Sequence, residues 1–267
     1  MRAGLTIGGI EVEVRVPSGD LEDVVADRFG PFLGAVVAPV CRLQMAATGA
    51  TRVEQSSPVA EVQGAGTDRV KLVHRDFEAK VDLSGTGSLV TAANPFAVDH
   101  AFRVLFALLA PRHDALILHS CGVITHGRAH VFAGKSGAGK STLASLAGHR
   151  PLLSDEHVVV RRRPGGWVAA STPFSGSHPR SGPARQAPLA RLWSLQHART
   201  HALVGRAPEH GLRTAYDNAL LPCGDHAIKT AVYAVAGRLA ADVPAGELRF
   251  ALDEGVWEEI EHGAAVV

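Results

Sequence analysis

The feature that most constrains this chain is the segment GKSGAGKS, residues 134–141, because it fits the phosphate-binding pattern GxxxxGK[ST] at every position. The β-branched, apolar run AHVFAG before it predicts a strand, and residues 141–148 after it predict a helix. Glycines in such a loop let backbone N–H groups turn towards phosphate oxygens, and a helix N-terminus adds partial positive charge. The alternative is a glycine-rich turn that matches by chance, and the flanking strand and helix argue against it. The sequence therefore predicts a nucleotide-binding loop.

The pattern also predicts roles for the side chains of this loop. Lys140 is expected to hold the β and γ phosphates of ATP, and the hydroxyl of Ser141 is expected to coordinate Mg²⁺. The residues predicted to bind the nucleotide are Gly134, Ser136, Gly137, Ala138, Gly139, Lys140, Ser141 and Thr142. ATP and Mg²⁺ are therefore the expected cofactors.

Two adjacent acids, Asp155 and Glu156, interrupt an apolar run fourteen positions after Ser141. Carboxylates at the end of a strand near a phosphate loop can hold Mg²⁺ and accept a hydroxyl proton, which phosphoryl transfer requires. The alternative is a solvated β-turn, in which Ser, Asp and Glu are ordinary residues. The phosphate loop upstream favours the functional interpretation, because acids with altered pKa cluster at such sites.

Residues 118–160, LHSCGVITHGRAHVFAGKSGAGKSTLASLAGHRPLLSDEHVVV, resemble the core of HPr kinase/phosphorylase and HPr-kinase-related proteins. That family has a His on the strand before the loop and an Asp pair after it. Here His119 lies fifteen residues before Gly134, and Asp155 and Glu156 occupy the positions of the acids. The resemblance implies that Asp155 is the general base for a substrate hydroxyl, assisted by His119. It also implies that the metal is held by Ser141, Glu156 and Asp155, and the division of roles between the two acids stays open.

The resemblance covers residues 112–172 well and the tail from Ile228 through LRFAL more loosely. It implies an α/β fold with a P-loop core built on a mixed sheet, similar to HPr kinase and phosphoenolpyruvate carboxykinase. Glu156 stands where the family has a second Asp, and the first 100 residues do not resemble the N-terminal domain of HPr kinases. The chain looks closer to relatives that phosphorylate serine in ribosomally made peptides, such as lasso peptide precursors. A peptide or protein hydroxyl is the acceptor that this implies.

The segment TPFSGSHPRSGPARQAP, residues 172–188, is rich in Pro, Gly and Ser and predicts a mobile loop. It carries Arg180 and Arg185, and a kinase needs a cation near the phosphoryl group in transfer. Arg180 is the first candidate for that catalytic cation. The alternative is a solvated surface loop whose arginines aid solubility.

The remaining patterns predict two domains. Alternating apolar residues at positions 10–16, and a similar pattern over 68–82, predict strands, so residues 1–93 are expected to form a β-rich subdomain. Asn94 and Pro95 predict the start of a helix that opens a kinase-like domain over residues 94–267. We expect a late helix that stops before Pro244 and a closing strand in LRFAL. If their segment is helical, His197 and His201 share a solvated helix face.

Composition restricts the partners. Lys and Arg number 27 against 26 Asp and Glu, so no global field attracts nucleic acid or anionic lipid. There is no apolar run of about 18 residues and no apolar segment of signal-peptide length near the start, so we expect no membrane span. Three scattered cysteines indicate a reducing, cytoplasmic setting. The resemblance adds the expectation of a homo-oligomer.

These patterns favour an ATP- and Mg²⁺-dependent kinase that phosphorylates serine or threonine of a peptide or protein. Two alternatives stay open. One is a nucleotide-binding regulatory or assembly module with little transfer activity, and the other is a kinase for a small alcohol such as a free amino acid. The sequence alone does not choose between these acceptors.

Overall fold

The computed structural model describes residues 1–48, 60–174 and 183–264. They form an α/β protein with two mixed sheets, which confirms the predicted class. The chain divides into two compact units: Met1–His113 with Leu221–Ala231, and Asp114–Leu220 with Val232–Val267. Among the described helices, none combines the length and the apolar character needed to cross a bilayer.

The first unit is built on one sheet with the strand order β3-β1-β2-β4-β8-β7-β6-β5. Its strands are β1 (Arg2–Ile7), β2 (Ile10–Arg15), β3 (Leu33–Gly34), β4 (Cys41–Thr48), β5 (Glu61–Gln63), β6 (Arg69–His74), β7 (Phe77–Asp82) and β8 (Thr86–Ala92). β4 runs parallel to both β2 and β8, and the other pairs are antiparallel. Gly8 and Gly9, at φ 58° and 73°, make the two-residue turn between β1 and β2, since both positions need the left-handed region. The predicted strand at 10–16 is confirmed.

Two helices belong to this unit, α1 (Asp20–Phe29) and α2 (Pro95–Leu109). α2 begins as predicted, because the Asn94 side-chain oxygen accepts the N–H of Ala97 at 2.9 Å and Pro95 occupies the first turn. α1 was not predicted. Its buried face consists of Leu21, Val25 and Phe29, which recur every four residues.

α2 contacts β7, β8 and α1, so it packs within the first unit. Phe29 of α1 and Phe102 of α2 meet edge to face with their ring centroids 5.2 Å apart. The units therefore separate between His113 and Asp114, one helix later than the boundary predicted at residue 94.

The second unit contains the other sheet, with the order β10-β9-β12-β13-β14-β16-β15 and with β11 paired to β9. Its strands are β9 (Ala115–Thr125), β10 (Arg128–Ala133), β11 (Leu152–Ser154), β12 (His157–Arg163), β13 (Gly166–Ala170), β14 (Gln186–His197), β15 (Ala202–Arg206) and β16 (Ala245–Phe250). β14 also pairs with β10 in parallel, so β10, β9, β12, β13 and β14 form a closed ring of pairings.

Four further helices complete the chain: α3 (Lys140–Ser145), α4 (Pro208–Asp217), α5 (His226–Asp242) and α6 (Gly255–Ala264). The strand predicted in LRFAL and the late helix are both present. However, α6 follows that strand, contrary to the prediction, because Val256, Trp257 and Ile260 enter the buried cluster that also holds Phe132 and Phe250. The prediction of a loop over 172–188 is wrong for its last three residues, because β14 begins at residue 186. Residues 175–182 of that segment lie outside the described residues.

Candidate functional site

A cleft of about 490 Å³ in the second unit collects most of the predicted site residues. Its lining consists of His119, Ser136, Gly137, Gly139, Lys140, Ser141, Thr142, Asp155, Glu156, His197 and Leu252. Gly134 and Ala138 belong to the same loop but do not line the cleft. The predicted cation Arg180 lies outside the described residues, so its placement is untested.

The phosphate loop connects the end of β10 to the start of α3. Gly137 and Gly139 have φ values of 81° and 98°, in the left-handed region that only glycine enters without strain. A Cβ on Gly139 would also lie 2.5 Å from Cζ of Phe250. A Cβ on Gly134 would lie 2.8 Å from that of Ala138. The glycines of the motif are therefore required by the path of the loop and by its packing.

Lys140 is buried, and its ammonium lies inside the curve of the loop. Nζ donates to the carbonyl oxygens of Gly134 at 2.6 Å and of Lys135 at 3.1 Å. Burial lowers the pKa of Lys140, while the nearby charge of Glu156 acts in the opposite direction. α3 begins at Lys140 and has only six residues, so its dipole is small.

The two acids occupy the tight connection between β11 and β12. The hydroxyl oxygen of Ser154 accepts the N–H groups of Glu156 at 3.2 Å and of His157 at 3.0 Å, which closes the turn. The Glu156 carbonyl accepts the N–H of Ser120 in β9 at 2.9 Å. Asp155 is only 4% exposed, whereas Glu156 is half-buried. The burial of Asp155 contradicts the interpretation of this segment as an ordinary solvated turn.

His119 reaches the cleft from the middle of β9. Its backbone N–H donates to the carbonyl of Asn218 at 2.8 Å, and it lies opposite His157 in the pairing of β9 with β12. The two imidazole centroids are 5.7 Å apart. On the other side, the carbonyl of His157 accepts the hydroxyl of Thr172 at 2.7 Å. Adjacent strands thus hold His119 in place within the lining of the cleft.

Cys121 lies two residues after His119 and is fully buried. Burial raises the pKa of its thiol, and the negative charge of Asp155 raises it further. A protonated thiol is a poor nucleophile, which agrees with a packing role for this residue.

The sequence did not identify His197 as part of the cleft. We predicted a shared helix face for His197 and His201, but His197 ends β14 and the segment is not helical. Nε2 of His197 donates to the carbonyl of Gly137 at 3.0 Å, and its ring lies 5.4 Å from that of Phe250. His201 instead bonds to Asp253 at 2.8 Å. No local pattern identifies His197, because it reaches the loop through the parallel pairing of β14 with β10, the strand that the loop follows.

The side chains of the cleft fit a magnesium nucleotide. In the described residues, no cluster of three or more His, Cys, Asp or Glu forms a metal site by itself. Magnesium, however, usually takes one or two carboxylates together with phosphate and water oxygens. The hydroxyl of Ser141 and the carboxylates of Asp155 and Glu156 line the same cleft and supply that type of oxygen ligand.

The chain was also compared with known proteins. Neither the protein-family models nor the curated proteins contain a match to it.

Proposed function

We propose that this chain is an ATP- and Mg²⁺-dependent phosphotransferase with a P-loop core of the HPr-kinase type. It transfers the γ-phosphoryl group to a hydroxyl, that of serine or threonine in a peptide or protein. The observation that carries the proposal is that Lys140, His119 and Asp155 line one cleft, although they come from three separate segments of the chain. A cation, a base and a second polar group beside a phosphate loop are the parts that phosphoryl transfer needs.

The loop and Lys140 bind and orient the triphosphate. Its backbone N–H groups donate to phosphate oxygens, and the ammonium of Lys140 exchanges the carbonyls of Gly134 and Lys135 for phosphate oxygens. Ser141, Glu156 and Asp155 would hold Mg²⁺, which neutralises phosphate charge when it is bound.

Asp155 accepts the proton of the acceptor hydroxyl. As the hydroxyl oxygen forms its bond to the γ-phosphorus, its O–H bond breaks towards the Asp155 carboxylate, and the bond from the γ-phosphorus to the bridging oxygen of ADP breaks. The products are a phosphorylated hydroxyl and ADP. A positioned base of this kind accelerates a reaction by about 10²- to 10⁴-fold.

His119 assists by orienting the acceptor on the same wall of the cleft, since β9 and β12 fix its position. Leu252, 66% exposed in the lining, offers an apolar contact to the body of the acceptor. Arg180 remains the proposed cation for the phosphoryl group in transfer.

The test compares wild-type protein with Asp155→Asn and with the control Asp217→Asn, which removes an exposed acid on α4. Each protein is incubated with Mg-ATP and a mixed pool of peptides and metabolites, and the products are identified by mass spectrometry. We expect a phosphopeptide with wild type and control only, while ATP binding, measured by calorimetry, is retained in Asp155→Asn. Full activity in Asp155→Asn would refute the role of this acid.

The same experiment separates the alternatives. A phosphorylated metabolite without any phosphopeptide would show that the acceptor is a small alcohol. ATP binding without any acceptor-dependent consumption of ATP would contradict the kinase and favour a regulatory module.

A further inference from the structure

A cavity of about 1100 Å³ in the second unit is separate from the phosphate-loop cleft and shares none of its lining residues. It is bordered by β10, β14, β15 and α6. The residues used below are Arg128, His130, Leu189, Arg191, Trp193 and Leu203, all of which line it. We call it the Trp193 cavity.

One wall of the Trp193 cavity is apolar and rigid. The Trp193 indole is 2% exposed and lies parallel to Phe132, with ring centroids 6.5 Å apart and an interplanar angle of 9°. Gly246 lies directly beside the indole, because a Cβ there would come within 2.3 Å of it. Leu189 and Leu203 extend this wall. Such a surface suits the apolar body of a small ligand.

His130 provides the cavity with a hydrogen-bond donor, because a bond from Trp193 fixes its tautomer. The indole Nε1–H of Trp193 donates to Nδ1 of His130 at 3.1 Å. Because an indole nitrogen only donates, Nδ1 must be unprotonated, and the proton of the neutral imidazole is on Nε2. Burial, together with the charges of Arg191 and Arg128, lowers the pKa of His130 to about 4. The side chain therefore stays neutral near pH 7, as a donor through Nε2–H.

Two guanidinium groups lie beside His130. Arg191 stacks over the Trp193 ring at 5.1 Å from its centroid, and burial lowers the pKa of Arg191. Arg128 begins β10. Within residues 1–48, 60–174 and 183–264, neither guanidinium has a hydrogen bond or an ion pair, so both can bind an anion.

Two of the three acids that line the cavity already have hydrogen-bond or ion-pair partners. Asp242 accepts the indole N–H of Trp167 at 2.9 Å and pairs with Arg162 at 3.3 Å. Glu261 accepts from Arg150 at 2.7 Å. The remaining charged or titratable lining residues are Glu259, His126 and His262. Asp242 and Glu261 therefore already have cationic partners, although the charge of Glu261 also acts on His130 and opposes the lowering of its pKa.

We propose that the Trp193 cavity binds a small ligand in which an apolar body carries a terminal carboxylate. The carboxylate accepts from Arg128, Arg191 and Nε2–H of His130, and the apolar body packs on the partly exposed Leu203 beside the Trp193 wall. A carboxylate only accepts hydrogen bonds, which matches three donors, and it fits the planar fork of Arg. This inference does not depend on the phosphotransferase function.

The test uses calorimetry on the full chain with two acid probes, octanoate and the tripeptide acetyl-Leu-Leu-Phe with a free carboxyl group. Each probe has a neutral control, octanamide or the C-terminal amide of the tripeptide. We expect at least one acid to bind about tenfold more tightly than its amide. Octanoate alone would indicate a fatty-acid type of ligand, and the tripeptide acid alone would indicate a peptide C-terminus.

The double variant Arg128→Gln/Arg191→Met is expected to weaken binding of the acid by at least about tenfold, since it removes both cations and keeps the length of the Arg191 stem. The control Arg213→Gln removes an exposed arginine on α4 and should leave binding unchanged. Circular dichroism and the unfolding midpoint in urea report whether both variants are folded. Equal loss in the double variant and in the control would overturn the proposal.

A second test uses NMR on the wild-type protein and needs no variant. The ¹⁵N resonance of His130 Nε2 should shift when the acid probe is added and stay constant with the amide. If neither acid binds more tightly than its amide, or if the His130 resonance does not respond to a bound acid, the proposal is wrong.

Discussion

The ammonium of Lys140 donates to the carbonyl of Gly134, six residues earlier, at 2.6 Å. This bond closes the phosphate loop around its own lysine and keeps the cation inside the cleft. Since Lys140 is buried and burial lowers its pKa, binding of a phosphate anion would restore favourable interactions to a desolvated charge.

Lys140→Met removes this charge while it keeps a similar length. We expect the affinity for Mg-ATP to fall by at least about tenfold, because a buried cation contributes strongly to anion binding. Calorimetry with Mg-ATP measures the change. Lys135→Met is the matched control, since that lysine is exposed in the same loop and does not line the cleft. Equal losses in the two variants would contradict the special position of Lys140.

Gly139→Ala should destabilise the protein more than Gly137→Ala. Both positions have positive φ, which costs an alanine about 1–2 kcal/mol. Only at Gly139 does the added Cβ also meet Phe250, at 2.5 Å, and overpacking of this kind costs a further 1–3 kcal/mol or so. Denaturant unfolding of the two variants gives the difference, and equal unfolding free energies would show that Phe250 moves aside freely.

Asn94→Ala removes the cap of α2. We expect a loss of about 1 kcal/mol in the free energy of unfolding, because the N–H of Ala97 loses its acceptor. Asn94→Asp should keep most of the stability, since its carboxylate accepts the same N–H. Urea unfolding measures both variants. If Asn94→Ala leaves the free energy of unfolding unchanged, packing alone holds the start of the helix.

The lowered pKa of Glu13 predicts how the free energy of unfolding depends on pH. Hydrogen bonds from Arg2 at 2.7 Å and Arg15 at 2.9 Å lower the pKa of its carboxyl group from 4.5 to about 2. A folded-state pKa below the unfolded value stabilises the protein above the unfolded pKa, and this stabilisation is lost as the pH falls from about 4.5 to about 2.

Glu13→Gln should therefore flatten part of the decline in unfolding free energy over this pH range. Chemical denaturation at several pH values, with Glu78→Gln on β7 as the control, measures it. If the unfolding free energies of the wild type and of Glu13→Gln fall with the same slope against pH, Glu13 does not cause the decline.

Much of the local structure could be predicted from the sequence. The cap at Asn94 and the strand, loop and helix around the phosphate motif follow from residues close together in the chain, and all are present. α1 and α6 were missed because each is a ten-residue helix with few apolar residues, although those residues recur at helical spacing. Both helices form because tertiary contacts bury those few residues, as with Trp257 and Phe132, whose ring centroids are 5.7 Å apart.

The sequence by itself was enough to identify the glycine-rich loop at residues 134–141 and the acid pair, since each is a contiguous motif. Only the tertiary structure decided that His119, Asp155 and the loop line one cleft, and that His197 joins them. The same holds for the tautomer of His130, which depends on a hydrogen bond from Trp193, 63 residues away. The physical reason is the sequence separation of the interacting groups. The hydrogen bonds of turns and caps are made within a few residues, whereas these arrangements depend on strand register and on packing between distant segments.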